Sequence, residues 1–275
     1  VVPRYLSTDK NGREESEFLN RYFPSMGKLA TAIFLKGYQW PFDPRKVLNY
    51  GSSLIDILVY QESVAKGRRV FLDFSRNPSG GGGLEDFSLD LLDREAYSYL
   101  EKSGALLRTP IERLRKMNQP AVDLFRSHNI DLGKEYLEIA VCAQHNNGGF
   151  KGSIWWESNI KHLFPVGEVN GTHGVYRPGG SALNSGQVGS MRAALYISKK
   201  YNTEPPVLRL FVNSARAQIM EKYKSARKLI HPHQQETDFI ERTRAEIQER
   251  MSVCGAPIRD PQKIRKAVPA AWKLY

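Results

Sequence analysis

The sequence between residues 163 and 194 constrains the fold and the chemistry of this chain more than any other part. A short apolar segment, which we predict to be a strand, ends at Gly167-Glu168. A glycine-rich turn follows over residues 171–180, and helix-forming sequence then begins at Ser181. Each signal is weak alone, but strand, acidic residue, glycine turn and helix in this order form a specific pattern. We therefore expect a ligand site to be built here.

Each part of this pattern has a use in holding a nucleotide-like ligand. A carboxylate at the end of a strand, here that of Glu168, accepts hydrogen bonds from the hydroxyls of a ribose or a flavin ribityl chain. Paired glycines, here Gly179 and Gly180, let the main chain approach a planar ring closely. The unpaired amides of the first helical turn, which contains Ala182 and Leu183, stabilise the negative charge of a reduced flavin. The pattern therefore indicates the ring side of a flavin site.

The same residues resemble the second flavin motif of the fumarate reductase/succinate dehydrogenase flavoprotein family, which is a family of FAD-dependent oxidoreductases that includes L-aspartate oxidase. Residues 163–168 (LFPVGE) resemble the GLFAAGE part of that motif, and residues 173–183 (HGVYRPGGSAL) resemble HGANRLGGNSL. Residues 143–149 (AQHNNGG) take the place of the family's AHYTMGG turn. The resemblance is strong over residues 135–200 and looser over most of the remaining chain.

The resemblance implies a role for each matched residue of the cofactor side. Glu168 would hold the FAD polyol, and Gly179 and Gly180 would border the flavin ring. Ala182 and Leu183 would place their backbone amides near the flavin. The cofactor implied is FAD.

The resemblance also implies residues that contact the substrate. Arg177 would bind a substrate carboxylate as a planar, two-pronged donor, and His145, Gln144 and His173 would lie on the same side. From the residues alone, two other interpretations stay open. Arg177 can pair with a carboxylate of the protein to fix the turn, and His173 can brace the turn through main-chain hydrogen bonds.

Two positions depart from the family's pattern. The histidine of the AHYTMGG turn falls on Gln144, which donates a hydrogen bond but carries no positive charge. The family's proton-donating arginine falls at Ser52-Ser53, and the nearest basic residues, Arg45 and Lys46, would need a different loop course. We therefore expect hydride transfer to or from a small organic acid or an unsaturated carbonyl compound other than fumarate. We assign no residue as the catalytic acid.

The fold class that we expect is α+β, in three parts. A helical capping domain with a small sheet covers residues 1–140, the C-terminal part of an FAD-binding domain covers residues 141–200, and a helical extension covers residues 201–275. Periodicity, capping signals and breakers predict helices over residues 14–23, 27–36, 54–65, 91–102, 110–128 and 181–198, and strands over residues 69–74, 136–143 and 163–168. The four glycines of residues 80–83 read as a flexible linker.

Composition bounds the setting of this fold. The 275 residues hold no run of about eighteen apolar residues, so we expect no membrane span. Two cysteines, Cys142 and Cys254, form no CxxC pair, and we expect a reducing cytoplasm and no metal site. The GxGxxG motif that binds the ADP half of FAD is absent, so we expect an N-terminal FAD-binding part before Val1 and weak FAD binding by the isolated, inactive chain. A separate electron-transfer partner protein is also expected.

The net charge of +11 leaves a second function class open. A basic balance of this size suits anionic partners, so the alternative is a non-catalytic binding or scaffold module, with nucleic acid as one partner. The densest basic group lies at residues 222–228, but no basic stripe interleaved with aromatic residues is present. The ordered pattern at residues 163–194 therefore favours the enzyme.

Overall fold

The computed structural model describes residues 1–39, 42–141, 148–171, 173, 180–205, 207–230 and 238–274. The chain divides into two compact units. The first unit comprises Val1–Asn147 with His173–Ser181, and the second comprises Gly148–Thr172 with Ala182–Tyr275. The three-part division and the capping-domain arrangement stay predictions.

A three-stranded antiparallel sheet lies in the first unit. Its order along the sheet is β1 (Arg4–Thr8), β2 (Arg69–Asp73) and β3 (Leu137–Ile139), so β2 is central. The predictions of β2 and β3 are confirmed, within shorter bounds. The sequence does not predict β1, because three of its five residues are polar although all five are buried.

The polar residues of β1 are buried because they have partners. Arg4 donates from two nitrogens to Asp73 Oδ2, at 3.1 and 2.8 Å, across the β1–β2 pair. Ser7 exchanges two main-chain hydrogen bonds with Ser16, at 2.9 and 3.0 Å. This pairing holds the segment around Ser16 extended, and Glu14 has a φ of 54°. The predicted helix over residues 14–23 is therefore wrong, and only a 3-10 turn, Phe18–Tyr22, forms there.

Four α-helices surround this sheet in the described part of the first unit. They are α1 (Met26–Tyr38), α2 (Leu54–Tyr60), α3 (Arg94–Lys102) and α4 (Pro110–Ser127). Apolar faces of α1, α2 and α3 form the main core with β2, through side chains such as Leu29, Ile55, Leu100 and Val70. The four predicted helices are confirmed, although α3 starts three residues late, after a 3-10 turn.

Local signals explain how α2 and α4 begin and end. The predicted capping box is present in α4: Glu112 N donates to Thr109 Oγ1 at 3.4 Å, and Thr109 N donates to a carboxylate oxygen of Glu112 at 2.8 Å. Asn118 leaves helical geometry because Pro120 follows it by two residues. The helix that starts with α2 ends in a π-helical turn, Gln61–Ala65, and Gly67 follows at a φ of 66°.

Hydrogen bonds hold the glycine-rich loop after β2 in place, and the loop lies within the first unit. The prediction of a flexible linker is therefore wrong. Ser79 donates from its amide and its hydroxyl to the Glu17 carboxylate. Asn20 donates to Ser79 O at 3.0 Å, and Gly80 N donates to Asp86 Oδ1 at 2.9 Å. The glycines supply the positive φ angles of the turn, while polar side chains distant in sequence hold it in place.

The second unit is mostly helical in its described residues. It contains α5 (Ser181–Lys200, whose first residue belongs to the first unit), α6 (Leu208–Ile230), α7 (Phe239–Cys254) and α8 (Pro261–Leu274). The predicted helix at Ser181 and the helical character that follows it are confirmed. None of the described helices is both long enough and apolar enough to cross a membrane.

Candidate functional site

Two glycine segments of the motif lie against each other in the second unit. Phe150 N donates to Val169 O at 2.8 Å, which joins the segment after the AQHNNGG turn to the Gly-Glu segment. A Cβ added to Gly171 would lie 2.6 Å from Gly149 N, and one added to Gly149 would clash with Val169 O. Only glycine therefore allows the two main chains this close approach.

The Gly-Glu segment itself forms a short helix, so the predicted strand over residues 163–168 is wrong. Gly167–Asn170 is a 3-10 turn, and Gly171 ends it in the left-handed region with a φ of 73°. Among the described residues no strand pairs with the preceding apolar segment, whose main chain instead makes turn contacts with residues 158–160. A lone extended segment has no partner for its main-chain hydrogen bonds, so the short apolar segment does not become a strand.

The N-terminal half of α5 lies beside this 3-10 turn. A Cβ added to Gly186 would be 3.8 Å from Gly167 Cα, which is ordinary contact distance. One turn later, a Cβ at Gly189 would be 2.7 Å from the Trp156 indole nitrogen. Two small residues thus let α5 pack closely on the loop segments before it. Three segments that are separate in sequence therefore meet around residues 167–171.

The predicted cofactor residues fall in different positions around these segments. Glu168 is exposed in the 3-10 turn. Ala182 and Leu183 lie in the first turn of α5, where Leu183 is 76% exposed. Gly180 belongs to the first unit, is exposed and has a φ of 78°, with open space where a Cβ would be. Glu168, Ala182 and Leu183 therefore lie in one unit, and the approach of Gly186 to Gly167 joins the segments that carry them. Gly179 lies outside the described residues.

The predicted substrate residues are largely outside the described part of the chain. Gln144, His145 and Arg177 belong to that undescribed part. His173 is half-buried in the first unit. The roles of all four residues therefore stay predictions.

The loop before α2 takes a course that the sequence does not reveal. Ser53 N donates to Lys46 O at 3.2 Å, and a Cβ at Gly51 would clash with the same carbonyl. The segment that carries Lys46 thus folds back onto the two buried serines of residues 52 and 53. Arg45 turns instead to Asp43, with 3.3 Å between Nη2 and Oδ2. The main chain of Lys46 therefore lies beside residues 52 and 53, where the family's proton-donating arginine would fall, whereas the Arg45 side chain pairs with Asp43.

A cluster of aromatic and charged side chains borders α5, and the sequence does not predict it. Glu157 accepts a hydrogen bond from the Tyr201 hydroxyl, and from His162 N at 3.1 Å. Phe164 packs edge-on against Tyr201 with 6.3 Å between ring centroids. Arg192 lies 4.6 Å from the ring centroid of Trp155. The Trp-Trp-Glu sequence of residues 155–157 is the one local signal, and its partners are about 40 residues away.

This cluster makes the loop of residues 153–164 sensitive to acid. The Tyr201 hydroxyl, followed by the His162 amide, lowers the pKa of Glu157 below its usual 4.5. A carboxyl whose pKa is lowered by folding stabilises the fold above its unfolded pKa and loses that contribution as pH falls through the folded value. We expect Tyr201→Phe to raise the pKa of Glu157 and to shift the acid transition of the loop to higher pH, as measured by carboxyl carbon NMR.

Tyr223→Phe is the matched control, because Tyr223 is an exposed tyrosine of α6. It should leave the Glu157 titration unchanged. Equal titration curves for the wild type and Tyr201→Phe would contradict the hydrogen bond as the cause.

Among the residues that the structure describes, no group of three or more His, Cys, Asp or Glu side chains is placed to hold a metal ion. The described residues of the site offer main-chain groups, the exposed carboxylate of Glu168 and the first turn of a long helix. Such a set suits hydrogen bonding to a polyol and to a ring with partial negative charge.

Two curated proteins, one named as a fumarate reductase subunit and one as an FAD-dependent oxidoreductase, are similar to part of the chain. One subunit of the fumarate reductase (CoM/CoB) of Methanothermobacter marburgensis is 40% identical over 76 residues, which are 27% of this chain and 14% of that protein. An uncharacterized FAD-dependent oxidoreductase of Methanocaldococcus jannaschii is 39% identical over 80 residues, which are 29% of this chain and 15% of that protein. The chain thus matches about a seventh of the length of each relative. The similarity supports a general flavin oxidoreductase role.

The other comparisons add nothing to this similarity. No protein-family model matches the chain. No solved structure matches it either.

Proposed function

We propose that this chain supplies the ring side of an FAD site in an oxidoreductase of the fumarate reductase type. The enzyme exchanges a hydride between the flavin and a small organic acid or unsaturated carbonyl compound. The names of the two relatives support the flavin and the oxidoreductase class. We further propose that residues 1–140 are the capping domain, that residues 141–200 are the C-terminal part of the FAD-binding domain, and that residues 201–275 are a helical extension.

The observation that carries this proposal is the meeting of three motif segments around residues 167–171. The segments are the end of the AQHNNGG turn, the Gly-Glu turn and the first half of α5. A chance match to the family's motif would not explain why these segments meet through contacts that only glycine permits. These close main-chain contacts fix the relative positions of the segments that would border the flavin.

The residues present fit the ring and polyol of a flavin. Glu168 is exposed, so its carboxylate is accessible to accept hydrogen bonds from polyol hydroxyls. The amides of Ala182 and Leu183 lie at the positive end of a 20-residue helix and stabilise negative charge at the ring edge. When bound, the flavin supplies the hydride exchange. The protein's own contribution is to position the ring and to bias its charge.

On the substrate side, we propose that Arg177 binds a carboxylate, with Gln144, His145 and His173 beside it. A guanidinium presents two parallel donors to a carboxylate, which fixes the orientation of a small acid. Serine at positions 52 and 53 cannot shuttle a proton as an arginine would, so the proposed substrate is an organic acid or an unsaturated carbonyl compound other than fumarate. The oxidoreductase class also requires a source or acceptor of electrons, and we propose a partner protein for this role.

The carboxylate of Glu168 provides the first test. We expect Glu168→Gln to raise the Kd for FAD by about tenfold or more, because a hydrogen bond to a charged acceptor contributes about 1.5–3 kcal/mol. FAD retention would be measured by equilibrium dialysis of the protein expressed from its whole coding sequence. Glu204→Gln is the control, since Glu204 is an exposed acid in the loop after α5. Equal Kd values for the two variants would contradict the role of Glu168.

A further inference from the structure

Helix α6 has two chemically different faces along its 23 residues. Large apolar side chains recur at spacings that keep them on one face of a helix with 3.6 residues per turn. This face, which we call the α6 stripe, consists of Leu208, Phe211, Val212, Ile219, Tyr223 and Ile230. Its members are between 44% and 73% exposed. An apolar face of this length and exposure indicates an interaction surface.

The remainder of α6 is strongly basic. The helix holds six lysines and arginines and one glutamate, Glu221: Lys222 lies on the same face as the stripe, and Arg209, Arg216, Lys224, Arg227 and Lys228 lie outside it. Arg216 follows Val212 by one helical turn, and Arg227 follows Tyr223 by one turn. The Arg227 guanidinium carbon lies 5.9 Å from the Tyr223 ring centroid. Long cationic side chains therefore border the apolar stripe.

Helix α8 also combines an apolar face with basic side chains. Ile264, Val268 and Trp272 recur every four residues, and Trp272 is 70% exposed. The helix also carries four lysines and arginines and no acidic residue: Lys263, Arg265, Lys266 and Lys273. Ile264 is half-buried, so in α8 the exposed apolar side chains beside the cations are Val268 and Trp272.

The combination selects among the possible partners. A second copy of the chain would bring the cations of two α6 helices together, which is unfavourable. A nucleic acid would pair with the cations but leave the apolar stripe in water. A folded acidic protein would need a shaped groove for each helix. An anionic lipid surface satisfies both features at once, because apolar side chains enter the acyl boundary while lysine and arginine side chains reach the headgroup phosphates.

We propose that α6, assisted by α8, binds the surface of an anionic lipid membrane and lies in its interface. The α6 stripe faces the acyl chains, and the bordering cations contact the headgroups. This mode needs no spanning segment, because the helix lies parallel to the membrane. It also gives the positive charge of the chain a defined partner, since cations next to a negatively charged leaflet are attracted over a Debye length.

Vesicle sedimentation of the full chain tests this proposal. The probes are vesicles of phosphatidylcholine alone and vesicles that also contain phosphatidylglycerol. We expect the chain to partition at least about tenfold more strongly to the anionic vesicles, with weaker binding at high salt. We expect the double variant Phe211→Ser/Ile219→Ser to lose this binding by about tenfold or more, because both side chains belong to the stripe.

Leu210→Ser/Met220→Ser is the matched control. Both side chains are exposed apolar residues of the same helix, but they lie off the stripe. This variant should bind anionic vesicles like the wild type, and circular dichroism should show equal helix content in both double variants. Absence of binding to anionic vesicles, or an equal loss in both variants, would overturn the proposal. Salt-sensitive binding to duplex DNA without vesicle binding would overturn it in favour of a nucleic-acid partner.

Discussion

Gly171→Ala is expected to weaken FAD binding by about tenfold or more and to separate the two glycine segments of the site. An alanine Cβ there would lie 2.6 Å from Gly149 N, where only main-chain atoms are available to move. The φ of 73° adds about 1–2 kcal/mol of left-handed strain for a residue with a Cβ. Flavin content after purification, and the Kd of the variant for added FAD, would measure this effect.

Gly167→Ala separates strain from the clash in the same segment. Gly167 has a φ of 78°, but nothing lies within 4 Å of an added Cβ. This variant carries the conformational penalty alone, so it should lose much less affinity than Gly171→Ala. Gly149→Ala carries a main-chain clash without a positive φ and should behave like Gly171→Ala. If all three variants bound FAD equally, the contact between the segments would have no role in the site.

Asp73→Ala is expected to lower the free energy of unfolding by about 1.5–3 kcal/mol, because it removes the main partner of the buried Arg4. Arg4 keeps longer contacts to Glu17 and Glu15, at 3.4 and 3.8 Å. Asp73 is 1% exposed and accepts two hydrogen bonds from Arg4 on one oxygen. Its other oxygen accepts from the amide and the hydroxyl of Ser75, at 2.8 and 2.6 Å. Urea denaturation followed by circular dichroism would measure the change.

Glu138→Ala is the control on the neighbouring strand. Glu138 receives two hydrogen bonds from Arg69, at 2.9 and 2.7 Å, and both side chains are substantially exposed. Solvent screens an exposed pair, so this variant should lose about 1 kcal/mol or less. A loss for Asp73→Ala as small as that for Glu138→Ala would show that the buried pair is not what holds β1 to β2.

Local signals predict the helices well because their causes are local. Three signals act within one turn of the chain: the capping box at Thr109, the proline at the first position of α4, and Gly67 at the end of the helix that starts with α2. The helix from Ser181 follows a continuous run of compatible residues. In contrast, β1 is invisible to periodicity, because Arg4 is buried only through a partner 69 residues away.

The sequence predicts which segments form the site but does not predict their geometry. The order of Gly-Glu, glycine turn and helix identifies the segment, yet the expected strand is a 3-10 turn. A strand needs a neighbour to complete its hydrogen bonds, and a sequence pattern does not say whether one is present. The contact of Gly149 with Gly171 and the pairing of Glu157 with Tyr201 depend on tertiary packing, so no spacing rule yields them.

The flavin content of the protein expressed from its whole coding sequence would show whether the chain contributes to an FAD site. The protein would be purified and denatured, and the released cofactor would be identified and quantified by chromatography against FAD. We expect one FAD per polypeptide, with the absorbance bands of oxidised flavin before denaturation and their loss on reduction. A colourless protein that takes up no FAD when incubated with an excess of it would rule out the proposed flavin site.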